Sequence, residues 1–263
     1  AQSEAQAPAE AETPAQSAQP AQAVDVSTLP ALDSGYYDEF FDGGLFIGDS
    51  ITQGLQNYMV QKRKDQPRLL GDAKFVTAKS FSLEAACSDV VTDGEAALRY
   101  RGRAMTVPEL LASTEAKALF ILLGTNDCAG KSPADVIAPY KTLLSLVKAS
   151  APDIRLYVQS CTPIVAARET AQLSNATLDA LNAELKTLAQ QSGAGFIDVA
   201  TALKNGGAGM EPAFSSDQYV HINEAGAQAW IDALYTYARE ACAAGAWAPI
   251  AALEETAGEA PAA

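Results

Sequence analysis

The stretch Gly43-Gly44-Leu45-Phe46-Ile47-Gly48-Asp49-Ser50-Ile51-Thr52 changes character midway. Its short apolar run stops at a glycine and gives way to small polar residues, as a buried strand does at its C-terminal edge. A helical stretch follows, so the predicted local structure is strand, turn, helix. Ser50 then stands where backbone N–H groups and the helix dipole favour a developing negative charge. A serine in that place also serves as an ordinary N-cap. The stretch is not the G-x-S-x-G nucleophile elbow, because Thr52 occupies the place of the second glycine.

Outward from this stretch, strand and helix signals alternate. Further strands are expected at 74–78, 118–123, 154–159 and 195–199. Between them, 133–149 puts Val136, Ile137, Tyr140, Leu143, Leu144 and Val147 on one helical face, with Ser132 as cap and a proline at the first helical position. The stretch 176–191 repeats the pattern with Leu178, Leu181, Leu185 and Leu188 and ends at Gly193; 225–239 supplies a last helix. Near-continuous apolar strands separated by amphipathic helices predict an α/β fold with a parallel sheet covered on both faces. There is no internal repeat.

The 263 residues, 48% of them hydrophobic, suffice for one sizeable core. The net charge of −14 is unevenly placed. Of 32 acidic residues, eight fall in 1–42 and three in 241–263, which leaves 21 acidic against all 18 basic residues between them. The acidity therefore belongs mostly to the ends. Neither a basic footprint for nucleic acid nor a polybasic run for anionic lipid is present, and no apolar stretch approaches the ~20 residues of a membrane helix. Residues 1–35, rich in Ala, Gln, Pro and Glu, are expected to be a disordered spacer, 36–241 the folded domain, and the Ala-rich 242–263 a frayed tail. The chain opens on Ala rather than Met, which fits an exported chain whose targeting segment has been removed.

Two further places carry chemistry. The third strand runs out into Gly124-Thr125-Asn126-Asp127. An Asn side chain there can donate a hydrogen bond to a carbonyl oxygen as negative charge builds, or simply start the loop as an Asx-turn. His221 is the only histidine of the chain, in Ser215-Ser-Asp-Gln-Tyr-Val-His-Ile-Asn223 just ahead of the last helix. Any imidazole base must be this one. Histidine-rich metallophosphatase chemistry is excluded by that count, a cysteine zinc site by the absence of C-x-x-C spacing, and nucleotide chemistry by the absence of a phosphate-binding glycine loop. No metal or cofactor is expected.

Taken in order, Gly48-Asp49-Ser50, Gly124-Thr125-Asn126-Asp127 and Asp217…His221 resemble three blocks of the SGNH (GDSL-type) hydrolase family, and the resemblance spans most of the folded region. It implies a flavodoxin-like three-layer α/β/α sandwich with a five-stranded parallel sheet, and serine esterase chemistry without metal. It maps the nucleophile to Ser50 and the base to His221. The oxyanion hole would comprise the Ser50 N–H, the Asn126 side chain and an N–H from the second block, with Gly48, Asp49, Gly124 and Asp127 in support. Two departures stand out. The second block has no glycine in Ala78-Lys-Ser-Phe-Ser-Leu83, which leaves the N–H of Ser80, Phe81 or Ser82, with Phe81 taken as the donor. The family's aspartate sits three residues before the histidine, where this chain has Gln218; Asp217 is four before. Asp217 is taken as the third catalytic residue, the extra residue bulging so that its carboxylate still reaches the imidazole Nδ1; the alternative is a backbone carbonyl near Ser215 or Ser216 that orients the ring and leaves a dyad.

Cys87, Cys128, Cys161 and Cys242 allow three pairings in an exported chain, or stand as four buried thiols. Arg99-Tyr-Arg-Gly-Arg103 is the one basic cluster and reads as a solvated hairpin or a landing for an anionic polymer. The expected activity is removal of small acyl groups, acetyl first among them, from a carbohydrate or cell-wall glycan by a secreted or surface-tethered enzyme. The alternatives are a lysophospholipase-like lipid esterase and an inactive module of the same fold that binds a glycan or partner.

Overall fold

The computed structural model describes residues 24–91 and 94–249. Five parallel strands form the sheet: β1 (Gly44–Gly48) and β2 (Lys74–Thr77), then, after a small antiparallel hairpin of β3 (Arg99–Tyr100) and β4 (Arg103–Ala104), β5 (Ala118–Leu122), β6 (Arg155–Gln159) and β7 (Gly195–Ile197). Their order is β2-β1-β5-β6-β7. The chain leaves β1 toward one sheet edge and later returns to its other side. The crevice outside the C-terminal ends of β1 and β5 is therefore the topological switch point, where open α/β sheets place their ligands. Ser50 follows β1, and Asn126 follows β5.

Alternation along the strands sorts the core into two layers. Leu45, Ile47, Leu119, Ile121, Leu156 and Val158 face one cluster. That side is closed by α2 (Leu83–Cys87), α3 (Val107–Thr114), α5 (Pro133–Ser150) and α6 (Asn175–Gln191); the short α4 (Thr125–Cys128) lies at its rim. Phe46, Phe120 and Tyr157 face the other cluster, closed by α1 (Ser50–Lys62), α7 (Val199–Lys204) and α8 (Glu224–Ala243). The result is three layers, α/β/α. On the second face the in-register residues Phe75, Phe46, Phe120 and Tyr157 stack across four strands with ring centroids 4.6, 4.4 and 4.6 Å apart. Each offset pair adds about 0.5–1.5 kcal/mol beyond burial, so the ladder clamps the middle of the sheet.

Local signals explain most of the boundaries. Ser132 accepts from Asp135 N–H and Asp135 answers at the Ser132 N–H, a capping box ahead of Pro133. All six apolar residues expected on the α5 face are buried, as are the four leucines of α6. The last strand is shorter than expected because Asp198 caps α7. The last helix runs on to Ala243, since nothing breaks it before Gly245 at φ 68°.

The packed body also reaches past 36–241. Val24 N–H donates to the Ala243 carbonyl at 2.9 Å, Tyr37 Oη donates to the Pro30 carbonyl at 2.8 Å, and Trp247 meets Phe40 edge to face at 5.4 Å. Residues 24–35 are thus docked against the end of the last helix, while 1–23 and 250–263 lie outside the described residues. Cys87, Cys128, Cys161 and Cys242 are all free thiols; Cys161 Sγ donates to the Leu123 carbonyl and Cys87 Sγ to that of Pro139. Among the described residues no helix is long and apolar enough to cross a membrane.

Candidate active site

Gly48 ends β1 where a side chain cannot fit. A Cβ built there would lie 2.1 Å from Thr52 Oγ1 and 2.8 Å from the Leu122 carbonyl oxygen. The bare glycine lets α1 start directly over the strand end, with Thr52 fully buried beneath it. Asp49, not Ser50, is the N-cap: its Oδ1 accepts from the Ile51 N–H at 2.8 Å. Ser50 is consequently the first residue of the helix. Its side chain is free for other partners, and its N–H has no acceptor among the described residues.

The partner is His221. Ser50 Oγ lies 3.1 Å from His221 Nε2, and His221 Nδ1 lies 2.7 Å from Asp217 Oδ2. With Nδ1–H donating to the carboxylate, Nε2 keeps its lone pair for the serine hydroxyl proton. The line of three side chains is continuous, although Ser50 and His221 are 171 residues apart.

The four-residue spacing works because Gln218 takes the left-handed conformation at φ 58°. The bulge at Gln218 turns the chain so that Asp217 faces back toward the imidazole, and the Gln218 side chain points away to donate to the Pro212 carbonyl at 3.1 Å. Asp217 is heavily engaged. Its Oδ1 accepts from the N–H groups of Tyr219, Val220 and His221 at 2.8, 3.1 and 3.2 Å and from Ser215 Oγ at 3.1 Å. Burial works to raise its pKa, but the hydrogen bonds from His221, Tyr219 and Ser215 outweigh it and bring the carboxyl down to about 2. Ser215 and Ser216 do not present carbonyls to the ring. The Ser216 N–H and hydroxyl instead donate to the His221 backbone carbonyl, the single Ser215 hydroxyl proton is shared between that carbonyl and Asp217 Oδ1, and a bridge between Ser215 and Ile222 closes the loop. Ser215, considered from the sequence only for its backbone carbonyl, supports Asp217 through its hydroxyl instead; the one signal for that was a hydroxyl two residues before an aspartate.

Across the switch point, Gly124 adopts φ 120°, and a Cβ there would lie 3.0 Å from Cys161 Sγ. This turn delivers Asn126, whose Nδ2 donates to Asp49 Oδ2 at 2.8 Å. Asp127 turns the opposite way: its carboxylate accepts the Leu83 N–H at 3.0 Å and so pins the start of α2. Asp49 is 1% exposed. Burial pushes its carboxyl up to about 6 against the pull of the Ile51 and Thr52 N–H groups, and burial raises Asp127 likewise.

The second block differs from expectation. The Phe81 N–H is turned onto the Ala78 carbonyl at 3.3 Å, and the Phe81 carbonyl lies 3.5 Å from Asn126 Nδ2. The Phe81 amide is therefore not free to receive a substrate oxygen. Ser80 stands at φ 53°, the left-handed conformation that glycine adopts more easily. The N–H groups of Ser80 and Ser82 have no acceptor among the described residues. Among those residues no three His, Cys, Asp or Glu side chains gather as metal ligands.

The His221 and Asp217 side chains are 43% and 37% exposed, so the line of residues lies along an open rim. The family model of the GDSL-like lipase/acylhydrolase family matches residues 46–229. No curated protein matches the sequence. Among solved structures, the chain is similar to a putative acylhydrolase from Bacteroides fragilis at 17% identity and a TM-score of 0.54, over 81% of this chain and 98% of that one. It is similar to an acetyl xylan esterase from Geobacillus stearothermophilus at 18% identity and a TM-score of 0.53, over 74% and 93%. A carbohydrate esterase family 3 protein from Talaromyces cellulolyticus matches at 16% and 0.52, over 73% and 94%. At such identities these likenesses speak to the fold. The motif blocks, the sheet order and the matched span together make this chain a member of the GDSL-like lipase/acylhydrolase family, a hydrolase of ester bonds.

Proposed function

We infer that the chain removes small acyl groups, acetyl foremost, from a carbohydrate through an acyl-enzyme on Ser50. The observation that carries the mechanism is the unbroken line from Ser50 Oγ through the imidazole to Asp217, at 3.1 and 2.7 Å. Ser50 Oγ attacks the ester carbonyl while His221 Nε2 takes its proton. The imidazolium so formed is stabilised by the Asp217 carboxylate, which also fixes the tautomer. The negative charge on the carbonyl oxygen is met by the free Ser50 N–H at the start of α1 and by the Asn126 amide, with Ser80 or Ser82 as the second-block N–H. Collapse of the tetrahedral intermediate breaks the bond to the alcohol, which leaves with the proton from His221. Water then repeats the sequence on the acyl-serine and returns Ser50.

The carbohydrate as substrate is supported by two of the similar structures, described as an acetyl xylan esterase and a carbohydrate esterase, and by the open rim, which suits an ester carried on a large molecule. Export to the cell exterior, with 1–23 as part of a polar spacer, is supported by the composition of that stretch. A fluorophosphonate probe tests the nucleophile: one equivalent should attach to Ser50, located by peptide mass mapping, and none to Ser50→Ala. Labelling elsewhere, or equal labelling of Ser50→Ala, refutes the assignment. Acetate release from acetylated xylo-oligosaccharide, set against hydrolysis of a long-chain p-nitrophenyl ester, tests the substrate.

A further inference from the structure

A furrow of about 590 Å3 runs down the flank of α1, roofed at its upper end by Ile222, the residue after His221. Ser50, Gly54, Asn57 and Gln61 lie on one helical face, at spacings of four, three and four residues. The stripe begins at the reacting serine and descends about 16 Å, at 1.5 Å per residue. Ile222 packs directly on Gly54, where a Cβ would stand 3.2 Å from its Cγ1, so the bare glycine lets this cover sit close to α1 between Ser50 and the furrow. Below it the furrow is lined by the exposed side chains of Asn57 and Gln61, by Lys62, whose Nζ sits 5.3 Å over the Tyr58 ring, and by Asp65 and Glu224.

That lining is chemically specific. Carboxamides and charges of both signs stand close together along the furrow, the Gln61 oxygen already accepting from Lys64 Nζ at 2.6 Å, and Ile222 and Tyr58 are its bulky apolar residues. An alkyl chain laid there would cover these polar groups and leave them without partners, at a cost of about 1–3 kcal/mol for each one fully desolvated. A polyhydroxylated ligand satisfies them. We propose that the furrow along α1 seats the alcohol half of the ester, an oligosaccharide whose acylated sugar lies over Ser50 and whose neighbouring sugars descend past Asn57 and Gln61. This rests on the reading of the chain as a carbohydrate esterase and adds to it where the glycan runs.

The test uses the full chain carrying both Asn57→Ala and Gln61→Ala, two exposed positions outside the reacting line, with a melting curve to verify the fold. p-Nitrophenyl acetate, which has no sugar to place in the furrow, should be cleaved at the wild-type rate. For an acetylated xylo-oligosaccharide of four or more sugars, KM should rise about tenfold, as loss of one or two net hydrogen bonds implies, with kcat nearly unchanged. An unchanged KM, with the wild-type chain still releasing acetate, overturns the furrow and leaves the carbohydrate reading standing. Failure of the wild-type chain to release acetate from the oligosaccharide overturns both. A selective loss on p-nitrophenyl palmitate instead assigns the furrow to a lipid chain and overturns the proposal.

Discussion

Asp49→Asn separates what the buried carboxylate does for stability from what it does for the site. The asparagine is nearly isosteric and caps a helix as well as aspartate does, so the bond to the Ile51 N–H survives. What disappears is a charge held in an environment that disfavours it. The folded-state carboxyl sits at about 6 instead of 3.8, roughly two units at 1.36 kcal/mol each, or about 3 kcal/mol. Because the folded pKa is the higher one, the native state binds the extra proton between those values. The wild type therefore loses stability as pH rises from about 4 to about 6 and stays at the lower level above that. Asp38 and Asp127 are raised by burial as well and slope the same way, so the informative quantity is the difference between variant and wild type. Urea unfolding at pH 4.5 and pH 7.5 should show the variant gaining on the wild type by about 2 kcal/mol over that interval, since at pH 4.5 the unfolded carboxyl is already mostly ionised and only part of the full shift remains to be lost. Activity should move the other way. To keep accepting from Ile51, the substituted side chain must turn its amide nitrogen toward Asn126, whose own side chain then flips and offers oxygen in place of nitrogen. Loss of that donor should lower kcat on p-nitrophenyl acetate by about 10²–10³. A variant with full activity, or a stability difference independent of pH, would refute the linked roles given to Asp49 and Asn126.

Asn126→Ala should lose a similar factor of about 10²–10³ in kcat and change little further on being combined with Asp49→Asn, since both act through one donor; additive losses in steady-state rates count against this. Asp217→Asn should cut kcat by about 10²–10⁴ through the wrong tautomer and an unsupported imidazolium. The carboxyl lies near 2 in the folded chain, so its stabilisation is present above about pH 4 and fades as pH falls toward 2; acid unfolding followed by circular dichroism should show the variant without that component. Gly48→Ala should destabilise by about 1–3 kcal/mol, because its methyl meets Thr52 and the Leu122 carbonyl; an unshifted urea midpoint would show that the strand end can yield.

What the sequence revealed was whatever depends on periodicity and on residue type. The five strands, the faces of α5 and α6, and the single histidine fall in this class. So does the switch-point position of Ser50 and Asn126, once the order of the blocks suggested the fold. Asp217 was legible as the carboxylate for Nδ1, reached through a bulge; what the one-letter string does not say is that Gln218 makes that bulge by accepting a left-handed φ. The choice of Phe81 failed for a related reason. An N–H donor is defined by the turn that aims it, and the turn from Ala78 to Phe81 consumes the Phe81 amide while leaving its neighbours open. The bond from Asn126 to Asp49 spans 77 residues and joins two motifs that the sequence presents as separate. The docking of 24–35 on the end of the last helix was missed because a stretch with few large residues gives no periodic signal, although Tyr37 holds it through the Pro30 carbonyl and Val24 bonds the Ala243 carbonyl.

The loop from Ser215 to Ile222 carries both the carboxylate and the imidazole and is closed on itself. Its internal geometry is thus a short-range affair, whereas the distance to Ser50 is set by how the last helix settles against α1, whose first residue is Ser50. The two links of the line therefore have different vulnerabilities. Drift of sequence in the helix packing would stretch the serine link and leave the loop intact, so a descendant could keep a well-formed Asp–His pair and have nothing for it to deprotonate.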